Sequence, residues 1–316
     1  MIAHPNIIVG EDFTSLYPSL LAEVDSNGEK VLTRNKWVRE MENVQMKIEN
    51  PRKSIVMQQA RKFNLAYAVI EMLSLFMPGE AVRDALLFYN SNMKNYLNPN
   101  TGLFDGSYAE RLTMYDQLRY CRDVLIEDIH SRRAVLDFYN AAYDQHESLD
   151  ICCTLNMLFR VRNGKLNATV FMRGNDVLWG TPYNFVMFTW LQNVMLKWLQ
   201  AKYPGLKMGN YTHIVGSAHY YLDKRDEIEA VLDNPFELKD MPITELPEWD
   251  IEGVEETFQE IDKFFQTEAA YRRYSMSGDA DELKGASPFK SKALYDLFEQ
   301  VIKPAVIRKA IKLSGN

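Results

Sequence analysis

Along this chain, apolar residues recur at helical spacing in some stretches and alternate with polar ones in others. Residues 10–24 have apolar positions at helical intervals, although Pro18 interrupts them. Residues 64–77 (NLAYAVIEMLSLFM) are apolar nearly all round, which predicts a buried helix ended by Pro78-Gly79. Residues 114–129 and 185–203 predict two more long helices. In NVQMKIENPRK, Val44, Met46 and Ile48 alternate with polar neighbours, the pattern of a half-buried strand that stops at Pro51. NGEKVLTRNKWVREM turns at Asn27-Gly28 and then enters a strand and loop. TLNMLFRVRNGKLNATVFMRG reads as two strands about Asn163-Gly164, a dipeptide of tight hairpin turns, and NYTHIVGSAHYYL is a further strand. After about residue 235 the chain turns acidic and then mixed, and is expected to end in one or two helices, as in SKALYDLFEQVIKPAVIRKAI. No internal repeat or low-complexity linker divides it. Sheet and long helices together predict an α+β fold.

One residue violates this pattern. Glu71 sits within the apolar 64–77 helix, where an unpaired carboxylate is costly. It must be paired, face a cavity or serve a function.

Composition narrows the function classes. The 316 residues are 47% hydrophobic and 12% aromatic, ample for a core, which excludes wholesale disorder. A formal net charge of −7 argues against a nucleic-acid polymer as partner. It does not exclude a single phosphate held by clustered arginines. Three cysteines are too few for a disulfide scaffold, no CxxC pair occurs and the five histidines are scattered, so no metal site is expected. No 18-residue apolar run appears, and MIAHPNIIVGEDF is acidic where a signal peptide is basic, so a cytoplasmic protein without membrane contact is expected.

Candidate chemistry gathers at two places. RGNDVLWGTPYN (173–184) is a polar loop opening onto an apolar helix, where sites are commonly built. Arg34, Arg132, Arg133 and Arg173 sit at turns or strand ends, and the guanidinium fork suits phosphate, although most arginines are solvated surface groups. DICCTL (150–155) carries adjacent cysteines, and a nucleophilic thiolate needs positive charge nearby. A hairpin could fold Arg173 back beside Cys153. The residues alone leave nucleophile and buried filler equally open.

Longer segments then fall into a recognisable order: TRNK, ENPRKSIVMQQARKFNLAYAVIEML, FYNSNM, GLFDGSYAERL, DQL, HSRRAVLDFYN, ICCTLNMLFRVRNGKLNATVFMRGNDVLWGTPYN and GNYTHIVGSAHYYL. Over roughly residues 30–225 the chain resembles the thymidylate synthase family, particularly its phage-type deoxypyrimidine-monophosphate hydroxymethylase branch. The resemblance implies a three-layer α+β fold with a large mixed sheet at a homodimer interface. It implies a catalytic domain over 1–235 and a divergent, mostly helical extension over 236–316, packed on the same domain.

The family nucleophile precedes the loop arginine by 20 residues and the base-reading Asn or Asp by 31. Counted back from Arg173 and Asn184, both spacings select Cys153. Glu71 matches the catalytic glutamate, Tyr108 the tyrosine lining the reaction centre, and Asn184 the base reader. Arg34 and Arg173 match phosphate ligands of one subunit, and Arg132 and Arg133 those that reach into the partner's site. His219 and Tyr221 match the pair on the sugar 3′-hydroxyl. Asp176 and Gly180 match positions near folate and base, whereas Asn140, in the strand after the paired arginines, receives no role.

The implied chemistry is covalent. A thiolate added at C6 of a pyrimidine makes C5 nucleophilic towards the methylene of 5,10-methylenetetrahydrofolate. Charge developing on the ring oxygen then needs fixed hydrogen bonds. Hydride from the folate would give a methyl group and water a hydroxymethyl group. Asn184 both donates and accepts, which favours uracil over cytosine and hence dUMP. Thr154 after the nucleophile, FYNSNM, and an unfamiliar C-terminal sequence (IRKAIKLSGN) lean towards the hydroxymethyl product. Departures from the family are Gly174 at a phosphate-binding serine, Leu158 at a glutamine and Ala109 at a glycine. Rival readings are methyl transfer, dCMP or CMP as substrate, a catalytically dead regulatory homologue, and RNA binding.

Overall fold

In the computed structural model, which describes residues 6–314, Asn163 and Gly164 adopt φ of 54° and 68°, both left-handed. That is the type I′ geometry whose twist matches the flanking strands, so β5 (Thr154–Arg162) turns directly into β6 (Lys165–Met172). The same device closes the hairpin of β2 (Glu29–Thr33) and β3 (Lys36–Ile48), where Arg34 and Asn35 take φ of 47° and 59°. With β1 (Ile7–Gly10), β4 (Val135–Asp137), β7 (Asn175–Asp176) and β8 (Lys207–Tyr221), these form one mixed eight-stranded sheet. Its order is β1-β3-β8-β6-β5-β4, with β2 on β3 and β7 on β8. β8 lies at the centre, antiparallel to β3 and parallel to β6 and β7.

Helices layer on one side: α1 (Phe13–Asn27) and α7 (Thr181–Gln200) rest on the sheet, and α2 (Leu65–Ser74) packs on α7. Beyond α2 lies α3 (Glu80–Tyr89), followed in the chain by α4 (Tyr108–Met114), α5 (Gln117–Glu127) and the single turn α6 (Ala141–Asp144). After β8 come α8 (Arg225–Asp233), α9 (Val254–Ser277), α10 (Lys292–Leu297), a π-helical turn and α11 (Lys303–Ser314). The arrangement is α+β, as the sequence predicts. α7 is buried on nearly every side, and each of its fully buried Phe185, Phe188 and Trp190 contributes roughly 1.5–3 kcal/mol of apolar burial. The opposite face of the sheet carries Leu155, Leu158, Phe171 and Ile214, all only half-buried.

The structure corrects the sequence expectation at Pro18, at the start of α7 and at Asn140, each for a physical reason. α1 runs unbroken through Pro18, because the Thr14 carbonyl that Pro18 cannot serve accepts from Gln58 Nε2 at 2.8 Å instead. α7 begins at Thr181 rather than 185, since a proline in the first turn loses no intrahelical bond. Asn140 lies beyond β4, not in a strand: its side chain caps α6 by accepting from Ala142 N at 3.0 Å.

The C-terminal residues are tied to the rest by buried polar contacts. Trp198 Nε1 donates to Thr257 Oγ1 at 2.9 Å and Tyr89 Oη to Glu268 Oε1 at 3.1 Å. Asn193 Nδ2 donates to the Pro247 carbonyl at 2.7 Å. α9, whose inward positions include Ile261, Phe264 and Phe265, joins the same hydrophobic core.

Candidate active site

A cavity of about 210 Å³ lies between α2, α3, the segments 103–110 and 150–153, and the first turn of α7. Glu71, Tyr108, Cys153 and Asn184 all line it, brought there from four separate parts of the chain. Its remaining wall mixes apolar side chains, including Val82, Leu86, Met93, Leu103, Phe104 and Met187, with the polar Ser74, Arg83, Ser107, Glu110 and Asp150, the mixture usual for small-molecule sites.

The two cysteines differ in what surrounds them. Cys152 is 2% exposed, and its Sγ points at the Gly106 carbonyl, 3.5 Å away. Burial first, then the carboxylate of Asp144, pushes its thiol up to about 12. Both cysteines border the cavity, but Cys153 is the half-buried one. Burial raises its thiol too, and Asp150 adds to this, but Arg173 and Arg34 pull it back down. Arg173 stands beside it because β6 pairs with the start of β5: its backbone N–H donates to the Cys153 carbonyl at 2.9 Å. Its Nε and Nη2 donate to the carbonyls of Cys152 (2.9 Å) and Ile151 (3.0 Å), so the same guanidinium also holds the loop that carries the thiol.

Selective alkylation is the expected consequence. Iodoacetamide should label Cys153 while leaving Cys121 (0% exposed) and Cys152 unreacted in the folded protein. Labelling should rise roughly tenfold per pH unit below the thiol's pKa, because only the thiolate reacts. Arg173→Gln should slow it at pH values below the thiol's pKa, and peptide mass mapping reads the result.

Glu71 answers its anomaly in α2. Tyr67 Oη, one turn back, donates to its Oε1 at 3.1 Å, whereas Oε2 is shut from solvent without a partner. Burial therefore raises the carboxyl from 4.5 to about 7, against the lowering effect of Tyr67. Such a group can take up and release a proton near neutrality. Tyr108 Oη lies 2.9 Å from Thr154 Oγ1, and its ring packs on Phe138 and Phe188. Burial keeps the phenol neutral.

The remaining sequence-selected residues fall around this centre in different ways. His219 and Tyr221 share one face of β8, their rings edge to face at 5.9 Å. Arg34, at its left-handed hairpin tip, extends its charge to both Cys153 and Tyr221. A Cβ at Gly174 would meet nothing nearer than 3.8 Å, so a serine would fit and no steric reason accounts for the glycine. Asp176 does not line the cavity: its Oδ1 accepts from Leu178 N and Trp179 N, both at 2.8 Å, shaping the turn into α7. Arg132 and Arg133 do not line it either, being exposed on the loop before β4. Among the described residues no group of His, Cys, Asp and Glu could hold a metal, and no helix is long and apolar enough to cross a membrane.

Two residues at the site escaped the sequence reading. Asn175 is buried with its Nδ2 donating to Asn184 Oδ1 at 2.8 Å, and fully buried His213 touches Asn175 in turn. Their signal was present, since His213 occupies an inward phase of the β8 alternation, between Tyr211 and Val215.

Comparison with known proteins adds an independent line. The family model for thymidylate synthase matches residues 15–275. A deoxyuridylate hydroxymethyltransferase of Bacillus phage SP01 is 30% identical over 257 residues, 75% of this chain and 65% of its own length. A deoxyuridylate hydroxymethyltransferase of Delftia phage PhiW-14 is 25% identical over 239 residues, 72% of this chain and 65% of its own. A thymidylate synthase of Clostridium beijerinckii is 29% identical over 131 residues, 42% of this chain and 48% of its own. The chain thus spans just under two thirds of the length of either phage relative.

Proposed function

We propose, because the chain belongs to the thymidylate synthase family, that it is a one-carbon transferase that hydroxymethylates C5 of dUMP. The observation that carries this reading is the meeting of Cys153, Glu71, Tyr108 and Asn184 on one cavity, with the charge of Arg173 beside the thiol. 5,10-Methylenetetrahydrofolate is the one-carbon donor, and the apolar wall of Val82, Leu86, Leu103 and Phe104 suits its ring system. Arg34 and Arg173 hold the phosphate, His219 and Tyr221 the sugar, and Asn184 the base edge. Asp176 and Gly180 set the turn that presents Asn184.

The steps balance without a redox change. Cys153 thiolate adds to C6, and C5 bonds to the donor's methylene carbon. C5 then gives its proton to bound water, and tetrahydrofolate departs as its C–N bond breaks with the electron pair and a proton on its nitrogen, leaving an exocyclic methylene. Glu71 and bound water share the proton transfers at the ring oxygen, which a carboxyl titrating at about 7 can do in either direction. Water adds to the methylene as Cys153 is expelled. The names of the two phage relatives favour water over hydride at this last step.

A homodimer completes the reading. The half-buried face with Leu155, Leu158, Phe171 and Ile214 is the surface for a second copy, whose Arg132 and Arg133 add phosphate contacts. The phage relatives also suggest modification of phage DNA precursors as the setting.

The test is incubation with dUMP and methylenetetrahydrofolate. A nucleotide product heavier by a hydroxymethyl group, with no dihydrofolate absorbance, is expected. A methylated product with dihydrofolate formation would replace the reading by a thymidylate synthase, and product from dCMP but not dUMP would correct the base.

A further inference from the structure

The base-reading side chain does not stand alone. Asn184 Oδ1 accepts from Asn175 Nδ2 at 2.8 Å. Two groups converge on the other end of that amide: Thr181 Oγ1, which also reaches the Asp176 carbonyl at 3.2 Å, lies 2.7 Å from Asn175 Oδ1, and His213 Nε2, a donor in one of its two tautomers, lies 3.1 Å from it. His213 is fully buried, and burial lowers it to about 3, so the ring is neutral and carries one N–H. With that proton on Nε2, Nδ1 accepts from Tyr211 Oη at 2.7 Å. In this tautomer every donor in the chain Tyr211, His213, Asn175, Asn184 points the same way.

Gly180 keeps the corridor open. A Cβ there would come within 2.7 Å of Asn175 Nδ2 and 3.5 Å of Asn184 Oδ1, closing the path of the amide–amide bond.

We propose that Asn175, locked by His213 and Thr181, is a positioning residue that fixes the amide orientation of Asn184 and so selects uracil over cytosine. The inference rests on the reading of Asn184 as the residue that meets the pyrimidine edge. Held this way, Asn184 presents Nδ2 as donor to O4 and the free lone pair of Oδ1 to N3–H, the pattern of uracil. Rotated by half a turn, the same amide would accept from N4–H and donate to N3, the pattern of cytosine. An amide at an exposed site could adopt either order. Here the rotated form would set two NH₂ groups face to face in a buried site, leaving donors unpaired.

The experiment is equilibrium binding and kcat/KM for dUMP and dCMP with the full chain and its variants. In Asn175→Asp the carboxylate can only accept, so it draws the NH₂ of Asn184 towards itself. The dUMP:dCMP preference is expected to fall at least about tenfold. Asn175→Ala releases the amide and should lower the ratio by a smaller factor. A merely structural loss would weaken both nucleotides equally and leave the ratio where it was. If the Asn175 variants do not fold, Thr181→Val removes one locking donor without changing side-chain volume and is expected to lower the ratio severalfold. An unchanged ratio in the folded variants overturns the proposal. Asn184→Ala separates the two layers. If its ratio matches the wild type, base reading by Asn184 is wrong and the proposal falls with it. If its ratio collapses while the Asn175 and Thr181 variants keep theirs, the locking chain alone is wrong.

Discussion

Cys153→Ala is expected to lower kcat/KM for dUMP by roughly 10⁴-fold or more, the scale at which removal of a nucleophile ends covalent catalysis. Cys152→Ala, one residue away, should leave activity within about tenfold of wild type, because it removes only a small buried group. The contrast follows from the loop geometry. Both cysteines border the cavity, but Cys152 is almost fully buried, its Sγ faces the Gly106 carbonyl and its thiol sits at about 12, whereas Cys153 is half-buried beside Arg173. The measurement is steady-state turnover of both variants, paired with mass spectrometry of the protein after incubation with a 5-fluoro-dUMP analogue. A covalent adduct on Cys153→Ala, or on Cys152 in the wild type, would refute the assignment.

Glu71→Gln should lose activity by about 10²–10⁴-fold, the usual worth of a positioned acid–base group. It should also make the protein more stable at alkaline pH. In the fold the carboxyl is raised from 4.5 to about 7 by burial, so the folded protein holds a proton that the unfolded chain gives up. Stability from this group is complete below about pH 4.5 and declines as pH rises towards 7, then stays level. The full loss is at most about 3.5 kcal/mol, from about 1.4 kcal/mol per tenfold change in proton affinity. Glutamine is never ionised, so its advantage over glutamate is absent near pH 4.5 and largest above pH 7. Thermal unfolding of both proteins at pH 5 and pH 8 reads it directly. Equal displacement at both pH values would mean that Glu71 is already charged in the fold. Retaining this desolvated carboxyl costs stability, which is the behaviour of a group kept for chemistry.

Much of this was legible in the chain because local pattern carries it. A period of two gave β3, β5, β6 and β8, a helical period gave α2, α5 and α7, and Asn163-Gly164 gave the turn. Glu71 announced itself as the one carboxylate in an apolar helix. Spacings of 20 to Arg173 and 31 to Asn184 chose Cys153 over its neighbour, since the distance between motifs survives when little else does.

What the sequence could not decide is which partner meets each buried polar group. Pro18 read as an interruption because the acceptor it strands, the Thr14 carbonyl, is served by Gln58, 44 residues away. Asn175 read as one polar residue in a loop because His213, its partner, is 38 residues further on and reaches it only through the pairing of β7 with β8. α9 was not delimited within the expected mostly helical extension, because its inward side chains pack against elements distant in the chain. Periodicity fixes which face of an element turns inward, and motif spacing fixes which residues belong together. The hydrogen-bond partner, the burial and hence the proton affinity of Glu71, Cys153 and His213 arise only when the sheet closes in one register, because each is a property of neighbours brought from elsewhere.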